Sequence, residues 1–356
     1  MPALTRLRTW TWLVPGIFFA ILAPRSSAHT RSTDVTWTKD IEPIVSARCA
    51  TCHARFGSAE PALVSYADAR ASAQRIREEI LEGRMPPWPA ARGVGQFSND
   101  RSLTPLEIEL LTAWADGATP LGKIETAPSS VSSAPTRAEI APHTRVFPAG
   151  HPSRGVETFE AASQLPATRW ISAWAFRPGS AAVVERAVVS IVGGNQLGTW
   201  TSGEPVIHYP AGVGQRLPAQ STLTVEIHYR KSTAQDMPPS ALDLYLGPRP
   251  QAELDHQVIG CQLRTFPVAI EALAVTPSAV SAGDSVEVVA RRPDASVQPL
   301  VVIPQFDPGN RLTYRFLKPV LLPRGTSIDV RSSAEGCGAV LEFINRGPAR
   351  AAGRRP

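Results

Sequence analysis

The sequence predicts a multidomain chain, a small all-α domain followed by two antiparallel β-sandwich domains of jelly-roll-like type. Three observations predict it. Apolar residues recur at helical spacing between Asp34 and about Gly122. Residues 123–137 (KIETAPSSVSSAPTR) are rich in Ser, Ala and Pro and lack periodicity. Beyond them, short β-rich runs alternate with Pro-Gly, Pro-Ala-Gly and Pro-Arg-Gly turns. A chain of 356 residues is long enough for two or three domains, and 43% hydrophobic content is that of a folded protein.

The first residues read as an export leader. Arg6 and Arg8 precede an apolar run from Trp10 to Ala23, and the small residues Ser26 and Ala28 mark a cleavage boundary, so residues 1–28 are set apart from the fold. An uncleaved anchor is the competing reading, but the run is short for a spanning helix and Pro15 interrupts it. No stable transmembrane segment is therefore expected after cleavage, and a periplasmic or otherwise exported location is. Arg6, Arg8 and Arg25 supply three of the five net positive charges, which leaves about +2 on the mature chain, with arginines crowded into its last residues. That balance excludes a nucleic-acid footprint.

In the expected helical domain, 34–122, one helix starts near Thr38 or Asp40 and carries Ile41, Ile44 and Val45. A second runs from Tyr66 to Glu82 with Ala69, Ala73, Ile76 and Ile80 on one face. A third starts at Thr104-Pro105, carries Ile108, Leu111 and Trp114, and ends at Gly117. The linker is placed at 123–142. Seven β-rich runs follow, at 182–192, 223–229, 241–246, 285–290, 299–303, 312–316 and 326–330. They exceed what one small sandwich needs, so the region is divided into 143–250 and 251–346, with a disordered tail at 347–356.

The chemistry centres on "CATCH", residues 49–53. Two cysteines separated by two residues and followed at once by histidine suit a zinc corner, a redox dithiol or a haem anchor. A zinc site needs two further Cys or His at finger-like spacing, and the next histidine after His53 is His143, across the linker. A thioredoxin-like dithiol needs a preceding strand, whereas the residues before Cys49 have helical spacing. Covalent c-type haem attachment fits best: Cys49 and Cys52 add to the vinyl groups and His53 ligates iron. Met85 and Met237 are the methionines of the mature chain, and Met85, in "GRMPPWP", is the candidate sixth ligand. Trp88 and Trp114 are the expected haem-packing aromatics. If Met85 is instead a core residue, the iron is five-coordinate and open to small ligands. Cys261 and Cys337 remain as a pair in an oxidising compartment, a disulfide candidate.

Residues 35–122 resemble the cytochrome c domain fused to bacterial proteins of the copper type II, ascorbate-dependent monooxygenase family. The motifs are "WTKDIEPIVSARCATCH", "ALVSYADARASAQRIREEILEGRMPPW" and "FSNDRSLTPLEIELLTAWADGATPLG". Residues 143–346 resemble that family's paired sandwiches, the peptidylglycine α-hydroxylating monooxygenase fold, through "RPGSAAVVERAVVSIV", "HYPAGVGQRLPAQSTLTVEIHY" and "LTYRFLKPVLLPRGTSIDV". The resemblance implies two coppers, and the chain departs from it at both. At the first, the His-His pair falls on Glu185-Arg186 and the third ligand is His228. At the second, the His-x-His run falls on Ser278, Ala279 and Val280, and no methionine follows Met237. Copper is therefore not expected, nor is monooxygenase activity. His208 and His228, in similar "IHY" strands, are the residual metal candidates, with plain strand histidines as the alternative. His143, His151 and His256 lie in loop-like contexts.

The expectation is an exported cytochrome with one haem c, not an enzyme, which passes single electrons to a redox partner protein. Its alternatives are a haem-linked copper monooxygenase with an altered metal site built from His208, His228 and loop histidines, and a five-coordinate haem sensor.

Overall fold

Alternating apolar residues bury one face of each strand, and here they build one long sheet covered in two places by smaller ones. The computed structural model describes residues 34–54, 59–123, 142–152, 155–194, 196–230, 237–333 and 336–346. The expected leader at 1–28, residues 124–141 of the expected linker and the expected tail at 347–356 lie outside the described residues. All described residues belong to one contact unit, Thr33–Pro356.

A π-helical turn, Trp37–Ile41, runs into α1 (Glu42–Arg48), followed by α2 (Tyr66–Ala71), α3 (Ala73–Leu81) and α4 (Pro105–Asp116). The start of α4 is built as its sequence requires. The Thr104 hydroxyl accepts from the Glu107 N–H, the Glu107 carboxylate accepts from the Thr104 N–H, and Pro105 occupies the first turn. The segment expected as one helix from Tyr66 is divided at Ser72, whose φ of −105° and ψ of 5° break the helical ladder. Ile41, Val45, Ala69, Ile80, Leu111 and Trp114 meet in the helical core.

The first lobe contains β1 (His143–Val146), β2 (Val156–Ala162), β3 (Arg169–Arg177), β4 (Val184–Ile191), β5 (Gln196–Thr201), β6 (Ile207–His208), β7 (Val213–Leu217), β8 (Thr222–Tyr229) and β9 (Ala241–Gly247). The second contains β10 (Ala252–Gly260), β11 (Arg264–Thr265), β12 (Ala269–Ser278), β13 (Val286–Arg291), β14 (Val297–Ile303), β15 (Tyr314–Leu322), β16 (Ser327–Ser332) and β17 (Gly338–Arg346). Each of the seven β-rich runs overlaps one of these strands. Sheet β2-β8-β4-β5 covers the first core, and sheet β11-β16-β13-β14 covers the second.

The fold class departs from expectation. Strands take up 41% of the structure and helices 15%, and the helices are short, six to twelve residues for α2 and α4. Among the described residues no sizeable all-α domain stands apart from the lobes. The residues between α3 and α4 leave the helices and pack on the second lobe: Ala90 and Phe97 enter its core, and Phe97 forms a β-bridge with Phe316. The Ala91 N–H donates to the Val302 carbonyl at 2.7 Å, and the Leu317 N–H to the Gln96 carbonyl at 2.7 Å. Helical periodicity could not reveal this, because the segment concerned has none.

Nor are the lobes separate sandwiches. β7 and β10 pair in parallel, Val213 with Ala252 and Gly214 with Glu253, which joins both large sheets into one path β1-β9-β3-β7-β10-β17-β12-β15, with β6 paired to β3. At one end of β10 and β17 a disulfide links Cys261 to Cys337, with Cα atoms 5.2 Å apart.

Candidate functional site

The Cys-x-x-Cys-His run sits where α1 ends. Cys49 caps the helix through its N–H to the Val45 carbonyl, and the N–H groups of Cys52 and His53 both donate to the Cys49 carbonyl, at 3.1 and 2.9 Å. One tight turn therefore carries both thiols and the imidazole. The His53 ring is oriented by its Nδ1, 2.6 Å from the Pro61 carbonyl. A carbonyl can only accept, so Nδ1 carries the proton and Nε2 keeps a lone pair for a metal.

Cys49 and Cys52 are free thiols. Burial, with smaller contributions from Cys52 and Glu107, pushes the Cys49 thiol up to about 11. An activated redox dithiol needs a thiol pKa lowered below its ordinary value, so this shift runs against that reading. Among the described residues no group of three or more His, Cys, Asp or Glu is placed to hold a metal ion.

Met85 follows α3, with its N–H donating to the Glu79 carbonyl at 3.1 Å. It is 38% exposed, whereas Met237 is 4% exposed inside the first core. The core alternative therefore describes Met237 and not Met85. The two tryptophans have protein partners. Trp114 lies in the helical core against Trp37, 5.8 Å between ring centroids, and its Nε1–H donates to the Pro120 carbonyl. Trp88 packs on Tyr314 and Phe97 at 5.1 and 5.9 Å, on the second lobe.

The first lobe reaches the 49–53 turn through the loop after β5. Cys52 Sγ lies 3.9 Å from the Ser202 carbonyl, which also accepts from Arg101 Nη1 at 3.4 Å. Gly203 adopts φ +81°, and a Cβ there would run into Cys52 Sγ. Only glycine meets both conditions.

The copper-like positions are arranged differently. A bulge between Val184 and Arg186 lets Arg186 oppose His228 across β4 and β8. Arg186 Nη2 lies 3.0 Å from His228 Nδ1, and Glu226 Oε1 lies 2.6 Å from Nε2. Nδ1 accepts and Nε2–H donates, so neither nitrogen offers a lone pair. Burial and the Arg186 cation hold the His228 pKa below the ordinary histidine value. His208 is exposed on β6, in the other sheet of the lobe from His228. Ser278 ends β12 and Val280 is exposed. His143 and His256, expected in loops, are strand residues of β1 and β10.

One constellation escaped the sequence reading. Arg315 on β15 reaches Glu204 of the first lobe with Nη2 at 3.3 Å, and Glu342 of β17 with Nη1 at 3.4 Å. Glu342 Oε1 in turn stands 4.0 Å from Nε2 of His256 on β10. All four side chains are largely buried. The available signal was a charged residue within each apolar run, as in "LTYRFL" and "VLEFI".

No family model matches this chain. No curated protein matches it either. Among solved structures it is similar to the major capsid protein P2 from Bacteriophage PM2, at 12% identity and TM-score 0.32, over 58% of this chain and 99% of that one. It is also similar to A223, a turret protein in Sulfolobus turreted icosahedral virus, at 11% identity and TM-score 0.17, over 57% of this chain and 98% of the other. At those scores neither likeness carries an argument about this chain.

Proposed function

We propose that this chain is an exported one-electron carrier that binds a single haem covalently. The observation that carries the reading is the donor set of the 49–53 turn: two free thiols, and an imidazole whose Nδ1 is tied to the Pro61 carbonyl so that Nε2 is left to ligate. That chemistry fits a c-type haem. Cys49 and Cys52 would hold it, His53 and Met85 would ligate it, and bound there it would supply a one-electron couple. His/Met ligation raises the potential and favours electron transfer over ligand binding.

The Cys261–Cys337 disulfide is compatible with an oxidising compartment, and no described helix is long and apolar enough to cross a membrane; the periplasm is the location we favour. The β lobes serve as a docking module for a redox partner protein. Copper oxygenation is not part of this reading, because His228 has both ring nitrogens engaged and Arg186 lies against it.

The test is expression with haem-attachment machinery, followed by iron and copper content per chain and a reduced spectrum. One iron, a covalent haem band on a denaturing gel and a low-spin spectrum are expected. Near two coppers per iron would replace the carrier reading with an oxygenase. A high-spin spectrum with carbon monoxide binding would replace it with a five-coordinate sensor.

A further inference from the structure

We propose that the buried chain Arg315–Glu342–His256 is a proton site tied to the redox state of the attachment turn, so that arrival of one electron there is accompanied by uptake of one proton at His256. The proposal rests on the haem reading above and extends it from electron transfer to proton-coupled electron transfer.

His256 is the first observation. Its side chain is 4% exposed, and neither Nδ1 nor Nε2 has a hydrogen-bond partner. Buried polar atoms left without a partner are rare, and each asks for an explanation. The Glu342 carboxylate, 4.0 Å away, is too distant to bond the neutral ring yet close enough to stabilise a protonated one. The charged groups that act on the ring are Glu342 from β17, Arg315 from β15 and Asp255, its neighbour along β10. Tyr209, from the first lobe, interacts with the same Glu342 and Arg315. Burial lowers the His256 pKa below the ordinary histidine value and Arg315 adds to this, while Glu342 and Asp255 oppose it. The ring is therefore neutral at pH 7 and poised to respond to an added negative charge.

One route connects it to the turn. Glu342, Arg315 and Glu204 are joined at 3.4 and 3.3 Å, and Glu204 follows Ser202-Gly203, which lie against Cys52 Sγ. In a weakly polarisable interior such a chain transmits charge. The step balances: the electron comes from a one-electron donor, the proton from solvent, and the imidazolium offsets the added negative charge. Since the reduced form favours the proton, the midpoint potential rises as pH falls, in the window below the ordinary histidine value.

The test is a mediated potentiometric titration of the full-length holoprotein across about pH 4 to 8. A slope approaching tenfold in the redox equilibrium per pH unit, about 59 mV, is expected in acid. His256→Gln should abolish it with the haem spectrum unchanged, and Glu342→Gln, which keeps the imidazole, should move the window to lower pH. His208→Gln, at an exposed position, should leave it as it is. A potential independent of pH, or a slope that survives in His256→Gln, overturns the proposal. A chain without a covalent haem band overturns it through its premise, an outcome recognised before any titration.

Discussion

The helical region and the β lobes contain the same reactive residue types with opposite fates. In the helical region, Cys49 and Cys52 are free, His53 keeps Nε2 available and Met85 is partly exposed. In the lobes, Cys261 and Cys337 are bonded to each other, Met237 is core and His228 is held at both nitrogens. The contrast teaches that ligating capacity is a matter of what the fold leaves unengaged, not of how many such residues a chain has.

The cysteines sharpen that contrast most. Cys49→Ala with Cys52→Ala should eliminate covalent haem while leaving the lobes folded. Cys261→Ala with Cys337→Ala should retain haem and lose about 4 kcal/mol in denaturant unfolding, the cost of opening a long cross-linked loop. Covalent haem surviving the first pair of substitutions would erase the distinction.

The methionines come next. Met237→Ala should cost about 2–5 kcal/mol as a core truncation. Met85→Ala removes a partly exposed side chain and should cost less than that, while converting the haem spectrum to high spin. Equal destabilisation by both would place Met85 in the core after all.

A smaller effect tests the contact between the two regions. Gly203→Ala puts a side chain where φ is +81° and Cys52 Sγ already lies. A loss of about 1–3 kcal/mol and a reduced yield of attached haem are expected. An unaltered yield would mean that the loop does not abut the turn.

The smallest concerns His228. Because its folded pKa is depressed, the unfolded chain binds this proton more readily, and stability falls as pH drops below the ordinary histidine value. Arg186→Met removes the nearby cation, so the pKa followed by NMR should rise and the acid loss of stability should shrink. A His228 pKa indifferent to that substitution would show that burial alone sets it.

Much of the local structure was legible. The cap at Thr104-Pro105-Glu107 and the alternation in β8, where Leu223, Val225 and Ile227 point inward, are written in neighbouring residues. Residues 90–98 read as part of a helical domain although their partners lie in β14 and β15, some 200 residues away. The strand positions of His143 and His256 were missed for a similar reason: their flanking residues carry no strong alternation, and pairing with β9 and β17 decides them.

By itself the sequence determined that Cys49, Cys52 and His53 share one turn, since their spacing needs no distant partner. Cys261 and Cys337 were legible as a pair only by elimination. The tertiary structure alone decided that β7 and β10 join the lobes in one sheet, that Arg186 engages His228, and that Arg315 links Glu204 to Glu342. The physical reason is that hydrogen bonds and ion pairs act over a few ångströms in space, whereas these partners are separated along the chain by tens to hundreds of residues.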